Sequence, residues 1–139
     1  MSRVRAILRK HTDALDPVQL AYSDALPNPA AISTELGPEG VAELFMEIAG
    51  VADERALRER EGCTDHDLLD DYWREMSRLA SLIPWLARRY PVPVLAGLAH
   101  PNRAVRLHVA GAIERVPFRP APRRCDGRSS GSRTTRRAA

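Results

Sequence analysis

Apolar residues return at intervals of three and four through most of residues 1–116, the signature of helices that bury one face. Ser2 is placed to cap a first helix, on which Val4, Ile7, Leu8, His11 and Leu15 share a side. Asp16-Pro17 restarts the chain as a cap followed by a first-position proline, and Val18, Ala21, Tyr22 and Ala25 line a short second helix. Pro27-Asn28-Pro29 ends it, and a further helical turn is expected over Ala30–Leu36. After Gly37-Pro38 comes the stripe Val41, Leu44, Phe45 and Ile48, which thins toward Val51, Ala52, Ala56 and Leu57. The charged run Asp53–Glu61 either extends this helix or forms a solvated second one, and Gly62 stops it.

The strongest periodicity follows. Leu68, Leu69, Tyr72, Trp73, Met76, Leu79, Ala80 and Ile83 repeat at spacings of three, four and seven, opened by a Thr64/Asp67 capping box with Asp65 and Asp67 in the first turn. Pro84 kinks or restarts this helix, and Trp85, Leu86 and Tyr90 continue an apolar face. Pro91 and Pro93 introduce a short helix through Val94, Leu95 and Leu98, and His100-Pro101-Asn102 makes a tight turn. A last helix runs from Arg103 to Val116, with Val105, Val109, Ala112, Ile113 and Val116 inward. No alternating run of strand length is present. The pattern predicts an all-α body of five to seven helices, with Trp73, Trp85 and Tyr90 in its core. It is either a small helical-repeat array with right-handed stacking or an irregular helical bundle.

Residues 94–116, Val-Leu-Ala-Gly-Leu-Ala-His-Pro-Asn-Arg-Ala-Val-Arg-Leu-His-Val-Ala-Gly-Ala-Ile-Glu-Arg-Val, resemble one HEAT-type repeat. The matching positions are Leu95 and Leu98, the Pro101-Asn102 corner, Val105-Arg106, Val109-Ala110 and Ala112-Ile113. A corner of this kind folds two helices back on each other, and small residues let them approach closely. The resemblance implies a HEAT-like organisation of residues 37–116 behind N-terminal helices in 1–36. It also implies a structural role for Arg106, whose family counterpart pairs with an acid of a neighbouring turn; the turn acid is His100 here. Such folds mostly present surfaces to protein partners. The His-Glu dipeptides of the metal-binding hydroxylase branch are absent, since none of the four histidines precedes a glutamate.

Charge divides the chain. Residues 1–116 carry 14 Arg/Lys against 17 Asp/Glu, a net −3, while residues 117–139 carry seven Arg against one Asp, a net +6. The overall +3 and the pI near 9.3 therefore reside in the tail. That segment, rich in Pro, Gly, Ser, Thr and Arg, is expected to be disordered, because it has too little apolar surface to offset the entropy of ordering. It is open to two readings. One is a basic arm for nucleic acid or an acidic partner, carried by Arg119, Arg123, Arg124, Arg128, Arg133, Arg136 and Arg137. The other is the product of a shifted reading frame in a GC-rich gene. Lys10 is the only lysine among 21 basic residues, a bias that fits a GC-rich, bacterial genome.

Two cysteines, Cys63 and Cys125, do not make a disulfide framework in a chain of 139 residues. Arg3, Arg5, Arg9 and Lys10 interrupt the first apolar stretch, so no secretory signal is visible. No uncharged run, Leu79–Ala87 and Tyr90–His100 among them, reaches the roughly 18 residues of a membrane span. The expected setting is the cytoplasm, with no membrane association.

Candidate chemistry is sparse. Cys63, His66 and Asp70 form the most site-like cluster, since His66 and Asp70 share a helix face and Cys63 lies just before it. No second Cys/His pair completes four ligands, so no metal is assigned, and a metal-dependent hydrolase is the weakest of three functional readings. Asp65, Asp67, Asp70, Asp71 and Glu75 read as a solvated acidic face partly neutralised by Arg74. His11 and His108 read as packed, hydrogen-bonded histidines. Neither a nucleophile elbow nor a phosphate loop is present, and no cofactor is implied. The leading expectation is a non-enzymatic interaction module holding a protein partner through Arg103, Arg106, His108, Asp67, Asp71 and Arg74. Nucleic-acid binding through the tail is the alternative. An exposed member of the Trp73, Trp85 and Tyr90 set would be the natural hot spot of a protein interface.

Overall fold

A computed structural model describes residues 2–13 and 26–116. Among these the chain forms seven α-helices and no strand: α1 (Arg3–Thr12), α2 (Pro29–Leu36), α3 (Glu39–Arg60), α4 (His66–Ala80), α5 (Ile83–Arg89), α6 (Pro91–Leu95) and α7 (Arg103–Arg115). A 3-10 turn, Ala96–Ala99, joins α6 to the corner before α7. The expected helix over Asp16–Ala25 and the segment 117–139 lie outside the described residues. No described helix is long and apolar enough to cross a membrane.

Local chemistry sets these boundaries. Ser2 accepts from Arg5 N at 3.1 Å and caps α1. The run Asp53–Glu61 extends α3 rather than forming a separate helix, and Gly62, at φ +79°, supplies the left-handed residue that lets Cys63 N return to Arg58 O at 3.0 Å. The cap of α4 is Asp65, whose carboxylate accepts from Leu68 N at 3.2 Å; Thr64 does not serve. That helix stops at Ala80, short of the expected Ile83. Pro84 has no N–H to bond to the Ala80 carbonyl, so the chain restarts as α5 with the proline in its first turn.

The long helix α3 is the hub. It packs α4 along one flank and α1 and α7 along others, while α5 closes against α7 and α2. Their inward stripes meet in one core holding Val4, Ile32, Leu36, Leu44, Ile48, Leu79, Leu82, Ile83, Leu86, Val94 and Val105, all essentially without solvent contact. Around this core, charged clasps tie α1 down. Arg3 donates to the carbonyls of Glu35 and Leu36 at the end of α2, and Arg5 bridges Glu47 of α3 and Glu75 of α4. Burial works against the Arg5 charge, but the two carboxylates outweigh it and raise its pKa. Burial also pushes Glu47 up, and hydrogen bonds from Ser2 and Arg5 overcome that and hold it below the usual carboxylate value.

One core position runs against the pattern. Ser33 of α2 is fully buried, and its hydroxyl meets no hydrogen-bond partner among the described residues. A buried hydroxyl without a partner costs about 1–3 kcal/mol in desolvation. Ser33→Ala is therefore expected to leave stability unchanged or raise it by about 1 kcal/mol, unlike most core truncations. Urea titration of the two proteins checks this, and a loss above about 1 kcal/mol would mean the hydroxyl is satisfied.

Candidate functional site

The corner before α7 is the best-tied loop of the described chain. The Asn102 side chain accepts from Ala104 N and Val105 N at 2.9 and 3.3 Å, capping α7, while its amide donates to Asp53 of α3 at 3.0 Å. Arg106 reaches back and donates to the carbonyls of His100 and Pro101 at 2.7 and 3.0 Å. Its guanidinium is thus spent on the backbone of its own corner rather than on an acid of a neighbouring turn. Arg103 stands exposed at the start of α7.

His108, two residues beyond Arg106, turns elsewhere. Its ring lies 6.4 Å from that of Trp73 on α4, tilted by 41°. The flanks of α4 and α7 stand apart here, leaving a groove of about 450 Å³ lined by Trp73, Ser77, Ala80, Ser81, Pro84, His108, Ala112 and Arg115. The floor is small and the walls carry an aromatic pair and one guanidinium. Arg115 makes no ion pair with any described residue.

Trp73 was expected in the core and is instead 50% exposed; Trp85 is 37% exposed, with the Arg88 guanidinium 5.3 Å above its ring. Tyr90 is partly buried and packs against the core as expected. Helix geometry explains the correction. The buried stripe of α4 is Leu69, Met76 and Leu79, and Trp73 projects roughly 70° from its centre, at the edge where α7 does not reach. Leu68, at the opposite edge, is exposed as well.

Burial lowers the pKa of His108, and the neighbouring Arg115 charge lowers it further, so the imidazole is neutral at pH 7. The unfolded chain, with an ordinary histidine value of 6.5, binds more protons than the native one just below that pH. Stability must therefore rise with pH through this window and fall as pH drops below 6.5. The carboxylates Glu35 and Glu47, held below 4.5, withdraw their contributions only at lower pH. Chemical unfolding between pH 5 and 7 should show a steeper acid-side loss in native protein than in His108→Gln. Equal slopes would remove His108 as the cause.

The other expected site residues disperse. Asp67 is exposed in the first turn of α4, and Asp71 pairs with Arg74 at 3.3 Å on the surface. Cys63, His66 and Asp70 do not converge: among the described residues no three His, Cys, Asp or Glu side chains are placed to hold a metal. His11, expected to be hydrogen-bonded, meets the Glu35 carboxylate at 2.9 Å. The tail arginines Arg119, Arg123, Arg124, Arg128, Arg133, Arg136 and Arg137 lie outside the described residues. The groove thus joins His108 to residues the sequence did not mark as site candidates, namely Ser77, Ser81, Pro84, Ala112 and Arg115. The small residues Ser77 and Ala80, four and seven beyond Trp73, were the available sign that this face of α4 is not filled.

Comparison with known proteins found no matching family model, no matching curated protein and no matching solved structure.

Proposed function

We propose that this chain is a non-enzymatic protein-interaction module, bacterial and cytoplasmic, whose recognition element is the groove between α4 and α7. The observation that carries the reading is Trp73: a large aromatic side chain half in solvent on a rigid helix, beside a recess of small residues. Exposed tryptophan and arginine on a fixed scaffold are residue types that dominate interface energies, tryptophan because it buries much area at little entropic cost and arginine because its guanidinium offers several hydrogen-bond donors. Trp73 and Arg115 stand at this one groove. Of the residues expected to hold a partner, His108 belongs to the groove wall, Arg106 serves the fold, and Arg103, Asp67, Asp71 and Arg74 do not line the groove.

A HEAT-like reading of residues 94–116 is part of the proposal. It rests on the sequence match at Leu95, Leu98, the Pro101-Asn102 corner, Val105-Arg106, Val109-Ala110 and Ala112-Ile113, while Arg106, which holds carbonyls of its own corner, departs from the family's pairing with an acid. Repeat folds use such faces for protein partners, which favours the same class of function. The alternative, nucleic-acid binding through the +6 tail, predicts steeply salt-dependent retention that nuclease abolishes. Partner retention by native protein and by Trp73→Ala, after nuclease treatment, separates the two readings.

A further inference from the structure

The α4–α7 groove is unevenly lined. Trp73 and His108 form its aromatic end, Ser77, Ala80 and Ala112 leave a recess, and Arg115 is the one side chain of fixed charge among the described residues that line it. No carboxylate lines it. Arg115 is exposed and makes no ion pair with any described residue. Its side chain leans toward the start of α7, as helical side chains do: one guanidinium nitrogen lies 3.9 Å from the point where a Cβ on Gly111 would stand. The cation is thereby carried back to within about one turn of His108, roughly 5 Å along the helix axis. His108 is neutral at pH 7, partly because of the Arg115 charge, and so adds no second cation.

Charge complementarity selects what can sit there. A guanidinium with its donors open to solvent matches a carboxylate, which it can hold through two parallel hydrogen bonds. The aromatic end calls instead for an apolar side chain, since Trp73 is half exposed. An extended peptide supplies both at once, because side chains two residues apart point the same way at a spacing of about 7 Å. That spacing matches the step from the guanidinium to the Trp73–His108 pair. A nucleic acid is the poorer match. Residues 1–116 carry 14 Arg/Lys against 17 Asp/Glu, a net −3, and Asp67, Asp70 and Asp71 stand exposed on α4, so a phosphate backbone meets repulsion that one carboxylate among apolar groups largely avoids.

We infer that the groove takes an extended acidic segment of a protein partner, with an aspartate or glutamate carboxylate on Arg115 and a large apolar side chain two residues away covering Trp73. The inference rests on the recognition reading above and names the chemistry of its partner.

The test uses the full chain, with a phage-displayed library of random peptides as the probe. Selection on the native protein should enrich peptides that carry Asp or Glu two residues from Phe, Trp, Leu or Met. The leading peptide is then synthesised and titrated by fluorescence polarisation. Arg115→Gln in the protein, and replacement of the peptide's acid by its amide, should each weaken binding by about tenfold or more. The two changes together should weaken it by little more than either alone, because both remove one interaction. Arg115 is exposed, so Arg115→Gln should keep the native urea midpoint, and the peptide substitution leaves the protein untouched. A leading peptide that is lost with Trp73→Ala but indifferent to Arg115→Gln overturns the carboxylate assignment and leaves the groove as the recognition element. A library that yields no Trp73-dependent peptide sinks the recognition reading and the inference together. Self-association of the native chain in sedimentation that Arg115→Gln abolishes makes a second copy the occupant and overturns the separate partner. Binding of a labelled oligothymidylate that depends on Arg115 makes nucleic acid the occupant and overturns it as well.

Discussion

Gly97→Ala is expected to lose about 1–3 kcal/mol of stability, toward the upper end of that range, although it adds a single methyl group. Gly97 sits in the 3-10 turn where the chain presses between α3 and α7. A Cβ built there would lie 2.7 and 2.9 Å from ring carbons of Phe45 and 2.8 Å from a methyl of Val109. Neither neighbour has room to retreat, because Phe45 and Val109 are both buried and Phe45 stands edge-on to His100 at 6.1 Å. Relief requires moving the turn, which carries with it the His100-Pro101 carbonyls that Arg106 holds and the Asn102 cap of α7. The urea midpoint should fall while the slope stays constant. A midpoint equal to that of native protein would show that the turn does not approach α3 as closely as described.

Trp73→Ala should have the opposite profile, with a small effect on stability and a large one on recognition. The side chain is half exposed and lies outside the buried stripe of α4, so the core keeps its packing. Its removal takes the largest apolar surface from the groove and leaves His108 without its aromatic neighbour. Truncating an interface anchor of this type costs about 2 kcal/mol or more, a drop of roughly thirtyfold in affinity. The far-ultraviolet circular dichroism and the urea midpoint of the variant should remain close to native. If the midpoint instead falls by more than about 2 kcal/mol equivalent, Trp73 is a packing residue and the groove is part of the core.

The helices were legible because their periodicity is strong. The Val41–Ile48 stripe gives the inward face of α3, and Val105, Val109 and Ala112 give that of α7, as the buried residues confirm. Proline, glycine and asparagine marked most boundaries, and each acts through a local effect that the sequence carries. The groove was not legible for a different reason. A helical stripe assigns a residue to a face but does not say whether a neighbour covers the whole face. Trp73 keeps spacings of four to Leu69 and three to Met76, which a linear pattern reads as part of the stripe although it projects toward the stripe's edge. Its exposure depends on how far α7 lies from α4, which the Asn102–Asp53 bond and the tight seating of Gly97 help to set. Spacing suggested a Cys63–His66–Asp70 cluster by the same one-dimensional logic, and the fold does not bring the three together. Arg106 was legible as structural, but the atoms it holds, two carbonyls of its own corner, follow only from the turn's geometry.

The measurement that bears most directly on the central claim is the set of proteins retained from a native lysate by the tagged full chain and by Trp73→Ala, after nuclease digestion, quantified by mass spectrometry. The account predicts at least one protein that survives nuclease with the native chain and falls by roughly thirtyfold with Trp73→Ala, while both chains show the same urea midpoint. Identical retained sets, or material that nuclease removes from the native chain entirely, would contradict it and move the function from the groove to the basic tail.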